Sequence, residues 1–209
     1  MSRPASGTDL RLLKAGKELL RDKGITGLSV REACRRAKAN TGMFHYYFGS
    51  KDEFLKAVLK EMYGEFLANF KVGVAEGADP RKKLKNALIA VGGFAREIKN
   101  VAPVIIADLI LGNKDAFDFI RGNFMEHIGH IAALAGECRP QSALKGRSVP
   151  YMIGALVPVM IFPVIIGGIM ERNGVKKAGG IRIGKLAAEF FSDEGIADRA
   201  EIALRGAGL

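Results

Sequence analysis

The stretch Ser29–Lys51, SVREACRRAKANTGMFHYYFGSK, decides the fold. Ser29 is a good helix N-cap, and Glu32 three residues on completes the pattern of a capping box. Val30, Ala33, Cys34 and Ala37 follow at helical spacing and make one apolar stripe. Lys38, Ala39 and Asn40 then read as a turn, with Asn40 as the N-cap of the next helix. That helix, about residues 41–47, is short. Phe44, Tyr47 and Phe48 fall on one side of it; Thr41, Gly42, Met43, His45 and Tyr46 fall on the other. Ser50 and Glu53 repeat the capping pattern and start a further helix at once. Two short helices joined by a tight turn, with the second presenting an exposed polar and aromatic face, are the build of a helix-turn-helix.

The residue types suit that build. An α-helix fits the DNA major groove, where side chains meet base edges. Thr41 can hydrogen-bond a base or a phosphate, and Gly42 lets the backbone approach closely. Met43 can press on a thymine methyl, and His45 and Tyr46 offer donors and flat faces. Ser29 and Lys51 stand at helix N-termini, where backbone N–H groups favour phosphate. Arg31, Arg35, Arg36 and Lys38 add attraction that carries no sequence information.

Working outward, Leu12, Leu13, Gly16, Leu19 and Leu20 define a first helix over about residues 8–23, ended by a left-handed Gly24. The helix that Ser50 caps carries Phe54, Leu55, Val58, Leu59, Met62 and Phe66 and runs to about Val74. The stretch AEGADP, residues 75–80, reads as the domain boundary. Beyond it, helices are expected at 81–100, 103–111, 114–137, 148–170, 182–191 and 193–204. No segment shows the two-residue alternation of a strand. The fold class is therefore all-α.

The block from Leu12 to Leu59 resembles the DNA-binding domain of the TetR family of transcriptional regulators. It carries Ser29-Val30-Arg31, Ala33-Cys34, Gly42, His45, Tyr46, Tyr47, Phe48, Ser50-Lys51-Asp52-Glu53 and Leu55 in the family's order without a gap. The resemblance implies a three-helix DNA-binding domain over residues 6–66. A fourth helix would join it to a helical effector-binding and dimerisation domain over residues 75–209. It implies phosphate contacts from Ser29, Arg31 and Lys51. Asn40, Thr41, Gly42, Met43, His45 and Tyr46 would form the DNA-facing surface, and Tyr47 would combine core packing with a phosphate contact. It also implies a homodimer on a near-palindromic operator, released by a small effector. Two positions depart from the family: Lys38 stands where the turn usually has glycine, and His45 where an aromatic is common.

Composition agrees. Residues 1–51 hold 11 basic and 4 acidic side chains, a net +7, while the whole chain carries +10. Such a concentration of positive charge suits a polyanion-binding head. Two cysteines, Cys34 and Cys138, are too few for a disulfide framework, and no apolar leader follows the start, so a cytoplasmic protein is expected. Val149–Met170 is uncharged and long enough to span a bilayer. Its prolines, its glycines and the lack of a polybasic flank favour burial in a core or a subunit interface. The helices at 148–170 and 182–191 are the expected dimer contacts, with Gly154, Ala155, Gly167 and Gly168 admitting a close partner.

For a hydrophobic or aromatic effector the candidate residues are Phe94, Ile98, Asp108, Phe117, Phe124, His127, Tyr151 and Met152, though the same spacing also describes plain core. His127 and His130 have no third ligand at metal-binding spacing, and no catalytic motif is present. Neither an enzyme nor a bound cofactor is expected. The leading reading is a ligand-released repressor. The alternatives are a membrane-anchored protein using 149–170, and a helical carrier or enzyme that does not bind DNA.

Overall fold

The computed structural model describes residues 7–209, so the expected domain start at residue 6 lies outside them. The chain divides into an N-terminal unit ending at Glu65 and a C-terminal unit beginning at Phe66. The division falls inside a helix and not at AEGADP, because Phe66 and Phe70 pack on the aromatic side chains of the second unit.

The N-terminal unit holds α1 (Gly7–Lys23), α2 (Val30–Ala37), α3 (Thr41–Phe48) and the first part of α4 (Lys51–Ala75). Leu12, Leu19, Leu20, Phe44, Phe54 and Val58 are fully enclosed. Phe44 and Phe48 both lean on Phe54, with ring centroids 5.0 and 4.8 Å away, so the aromatic side of α3 is nailed to α4. At Gly16 a Cβ would come within 2.6 Å of Val58, which is why α1 can approach α4 there. Gly24 has φ 66° and ψ −169°. It is not the expected left-handed cap but a glycine-only extended kink. The chain leaves α1 through a short 3-10 turn, Ile25–Gly27.

The C-terminal unit holds α5 (Pro80–Glu97), α6 (Ala102–Ile110), α7 (Lys114–Asn123), α8 (Glu126–Cys138), α9 (Val149–Arg172), α10 (Ile183–Phe191) and α11 (Asp193–Gly206). Asp79 caps α5, accepting from the Lys82 amide at 2.8 Å, and Pro80 supplies a preset first turn. Leu84, Leu88, Ile131, Met152, Met160 and Leu204 form its core. At Gly92 a Cβ would lie 2.8 Å from Ile196 and 2.9 Å from Met160, so α5, α9 and α11 meet closely there.

Two expectations need correction, and one holds. The helix expected at 114–137 is two helices. The Asn123 side-chain amide donates to the Phe119 carbonyl at 2.7 Å, a local bond that competes with the helix ladder beside Gly122. The segment expected as pure connection carries a two-residue antiparallel ladder, β1 (Lys177–Ala178) and β2 (Ile181–Arg182). Gly179 and Gly180, at φ 54° and 82°, make the tight turn that only such residues allow. Pro158 and Pro163 do not interrupt α9. They withhold only the donors to two carbonyls one turn back.

Helix α9 is long and apolar enough to cross a membrane by length and composition, with mean hydropathy 2.4. Met152, Leu156, Met160, Val164 and Gly168 face inward. Tyr151, Ala155, Pro158, Phe162 and Ile169 are exposed along the opposite side. Gly167 and Gly168 do not lie open for a partner helix. A Cβ on the first would meet the Phe191 ring at 2.6 Å, and on the second the Lys99 carbonyl oxygen at 2.8 Å. They admit neighbours from their own chain.

Candidate nucleic-acid interface

The turn between α2 and α3 is built from backbone bonds that the local sequence selects. The Ala39 amide donates to the Cys34 carbonyl at 2.9 Å and the Lys38 amide to the Arg35 carbonyl at 3.3 Å. This pair is the Schellman motif, which needs a left-handed residue at its centre. Lys38 fills it with φ 51° and ψ 45°, the one non-glycine residue at positive φ among those described. The turn thus keeps the glycine geometry with a lysine in place. Arg11 from α1 donates to the Ala37 carbonyl at 3.1 Å, satisfying another open acceptor at the end of α2. The buried Cys34 thiol reaches the Asn40 carbonyl at 3.7 Å, and burial pushes its pKa up, so it behaves as a small core residue.

Asn40 then starts α3, its Oδ1 accepting from the Met43 amide at 2.8 Å. Ser29 and Ser50 cap α2 and α4 by accepting from Glu32 and Glu53 amides at 3.5 and 3.1 Å. The glutamate side chains do not return to complete either box. Glu53 accepts from Lys56 at 2.8 Å. Glu32 takes Arg35 in a two-pronged pair at 2.8 and 2.7 Å and Arg36 at 3.2 Å. Those hydrogen bonds, Arg35 first, hold the Glu32 carboxyl down at about 2. Arg36 also faces Asp22 and Glu18 at 3.4 and 3.6 Å. Arg36 is therefore held among three acids of its own domain, while Arg35, paired with Glu32, keeps 71% of its side chain exposed.

With Phe44 enclosed and Phe48 half-buried, α3 turns Thr41, Gly42, Met43, His45 and Tyr46 to solvent. Tyr47 is half-buried, its ring edge-on to Tyr46 with centroids 5.1 Å apart. The His45 Nδ1–H donates to the Gly49 carbonyl at 2.8 Å. That fixes the ring and, in the neutral form, leaves Nε2 as an acceptor. A Cβ at position 42 would lie 3.2 Å from the Asn40 cap oxygen, so glycine also protects the cap. Ser29, Arg31, Lys38, Asn40 and Lys51 are exposed. No ion pair among the described residues engages Arg31, Lys38 or Lys51. The arrangement offers a hydrogen-bonding and aromatic helix face bordered by uncommitted cations. Arg11, Glu18 and Asp22 are positioning residues that the motif alone does not reveal. Their signal is the need to satisfy the carbonyls and charges of a two-turn helix.

The eight effector candidates do not converge. Phe94 stacks on Phe66 at 4.4 Å and His127 meets the same ring edge-on at 5.3 Å, so these two share a cluster. Burial first, then His130, pushes the His127 imidazole down to about 4. Ile98 closes α5 and Asp108 lies on α6, both half-buried. Phe124 packs on Phe119 at 5.5 Å. Phe117 and Tyr151 are exposed, beneath Arg121 and Arg147 at 5.9 and 5.3 Å, and Met152 is sealed in the core. An apolar cavity of about 320 Å³ opens instead between α9, α10 and the hairpin, bordered by none of the eight.

Comparison with known proteins accords with this geometry. Residues 12–58 match the model of bacterial regulatory proteins of the tetR family. The chain is 33% identical over 91 residues to the HTH-type transcriptional repressor NicS of Pseudomonas putida, covering 43% of this chain and 42% of that protein. It is 29% identical over 80 residues to the HTH-type transcriptional regulator BetI of Rhizobium meliloti, covering 38% and 39%. The match thus spans about two-fifths of either relative. The fold extends further. A TetR transcription regulator from Haloarcula marismortui superposes with TM-score 0.72 over 97% of this chain and 99% of that one, at 15% identity.

Proposed function

The chain belongs to the TetR family of bacterial regulatory proteins, and from that premise we propose that it is a sequence-specific DNA-binding transcriptional regulator. One observation carries the reading. The exposed face of α3 is bordered by Arg31, Lys38 and Lys51, which make no ion pair among the described residues, while the neighbouring Arg36 is half-buried beside Glu18, Asp22 and Glu32. Cations left uncommitted around a base-reading helix position the protein on phosphates, and the helix face supplies the specificity.

The working form is a homodimer. Tyr151, Ala155, Pro158 and Phe162 form an exposed apolar stripe on α9, and a second copy would cover it. Two-fold symmetry then calls for a near-palindromic operator with half-sites about one helical turn apart. The protein acts as a repressor and is released by an apolar effector that favours the non-binding state, by no more than its difference in affinity for the two states.

The test is fluorescence anisotropy of the full-length protein on DNA from just upstream of its own gene. A scrambled duplex serves as the control, at two salt concentrations. Preferential, saturable binding that weakens with salt supports the reading. Equal weak binding to both duplexes, together with an empty genome-wide selection of bound fragments, overturns it.

A further inference from the structure

Helix α3 closes both of its own ends with side chains from its exposed face. At the N-terminus the Asn40 Oδ1 accepts from the Met43 amide at 2.8 Å. A backbone N–H can donate only to the carbonyl half of that side chain, so chemistry fixes which way the Asn40 amide points. Its Nδ2 is left with two donors that have no partner among the described residues, on an exposed side chain.

At the C-terminus His45 and Gly49 exchange two hydrogen bonds. The Gly49 amide donates to the His45 carbonyl at 3.0 Å, and the His45 Nδ1–H donates to the Gly49 carbonyl at 2.8 Å. A carbonyl only accepts, so Nδ1 carries the proton and Nε2 of the neutral ring carries a lone pair. The ring also stands edge-on to the enclosed Phe44, with centroids 5.4 Å apart. Turning the ring over to exchange its nitrogens would forfeit the bond to Gly49.

Each side chain therefore keeps a single polarity. A free asparagine pairs with adenine through both N6 and N7, which requires its carbonyl oxygen. Asn40 has committed that oxygen to the cap, and only donors remain. The lone pair of His45 matches only the amino groups that adenine and cytosine show in the major groove. Thr41 and Tyr46, exposed nearby, carry hydroxyls that donate or accept and do not discriminate in this way.

We propose that His45 reads an exocyclic amino group, adenine N6 or cytosine N4, through Nε2. Asn40 reads a base acceptor, N7 or O6 of guanine, N7 of adenine or O4 of thymine, through Nδ2. The inference rests on the reading of the chain as a DNA-binding regulator, and it adds the hydrogen-bond polarity that the operator must present at two positions.

The experiment is selection of bound sequences from random duplexes by the full-length protein at pH 8, repeated with variants that keep each cap. In His45→Asn the side-chain amide stands in for Nδ1 and keeps the bond to Gly49, while Nε2 is lost. The preference for adenine or cytosine at one position should fall about fivefold, the worth of one neutral hydrogen bond. Deleting the amine from the selected duplex, with purine for adenine or pyrimidin-2-one for cytosine, should weaken the wild type about fivefold and leave His45→Asn unaffected. Asn40→Asp keeps the N-cap and turns the free donor into an acceptor. The base preferred at a second position should switch to cytosine. Circular dichroism checks that each variant keeps its helices. A wild-type selection that enriches no sequence would overturn both the regulator reading and this inference. An enriched sequence whose base preferences are the same in a variant would overturn the assignment of that side chain alone and leave it a cap. Weakening on every duplex alike, with no change of preference, would place the side chain on a phosphate and overturn the assignment equally.

Discussion

The amide of Ala39 reaches the carbonyl of Cys34, 2.9 Å away, across a lysine held in the left-handed region. That conformation costs a non-glycine residue about 1–2 kcal/mol. Lys38 recovers part of it, since a cation at a helix C-terminus contributes about 0.3–1 kcal/mol. Lys38→Gly is therefore expected to raise the stability of the N-terminal unit by about 1 kcal/mol, read from urea unfolding. The same change should weaken operator binding and make its salt dependence shallower. Unchanged affinity would remove Lys38 from the interface.

Tyr46 and Lys51 act at different levels. Loss of a side chain that reads bases costs about 1–3 kcal/mol and relaxes sequence preference. Tyr46→Ala should do this, because the residue is 59% exposed and its removal leaves the core intact. Lys51→Ala should weaken binding to all duplexes alike. Anisotropy on matched and scrambled DNA separates the two, and normal operator binding by both variants would sink the site assignment.

Glu32 restrains two arginines at once, at 2.7 and 3.2 Å. Glu32→Gln should loosen both, increase affinity for scrambled DNA and slightly lower the melting temperature. In the native protein the carboxyl titrates at about 2, depressed from its ordinary 4.5. The restraint is therefore complete above pH 4.5 and fades only as the pH falls toward 2. Non-specific affinity that does not rise in the variant would count against it.

His127 sets a pH limit on the C-terminal unit. Its folded pKa of about 4 lies below the ordinary 6.5, so the fold favours the neutral ring packed on Phe66. Full stability is present above pH 6.5 and declines as the pH falls from there toward 4. The neighbouring His130 adds repulsion, while Lys71 holds Glu126 at 2.6 Å. Melting temperature followed from pH 7.5 to 4.5 should drop in the wild type and stay flatter in His127→Gln. Parallel curves would place the titration elsewhere.

The serine and asparagine N-caps, the turn and the inward stripe of the first fifty residues were legible because each depends on neighbours within about five positions, whereas the kink at Gly24 was not. Asn40, Ser29 and Ser50 sit where the spacing predicts. The fate of Arg36 was not legible, since Glu18 and Asp22 reach it from another helix. The Asn123 break and the Gly179–Gly180 hairpin escaped for a different reason. One side-chain bond ends the first, and a two-residue ladder is too short to show alternation. The effector candidates were chosen by residue type on separate helices, and only packing decides which of them meet. Gly167 and Gly168 illustrate this: small residues announce a close neighbour but not whose chain supplies it.

The internal pairing of Arg35 and Arg36 has a consequence for the ionic atmosphere of DNA. Eleven basic side chains in residues 1–51 suggest a large electrostatic footprint, yet cations already paired with carboxylates displace fewer condensed counterions than unpaired ones. With Arg31, Lys38 and Lys51 from each of two heads, about six ions would be released, a log–log slope near −5. Between 50 and 200 mM salt that amounts to roughly a thousandfold in affinity. The protein would therefore leave non-specific DNA more readily than its formal charge implies, and its residence on the genome would rest on the few contacts that α3 makes with bases.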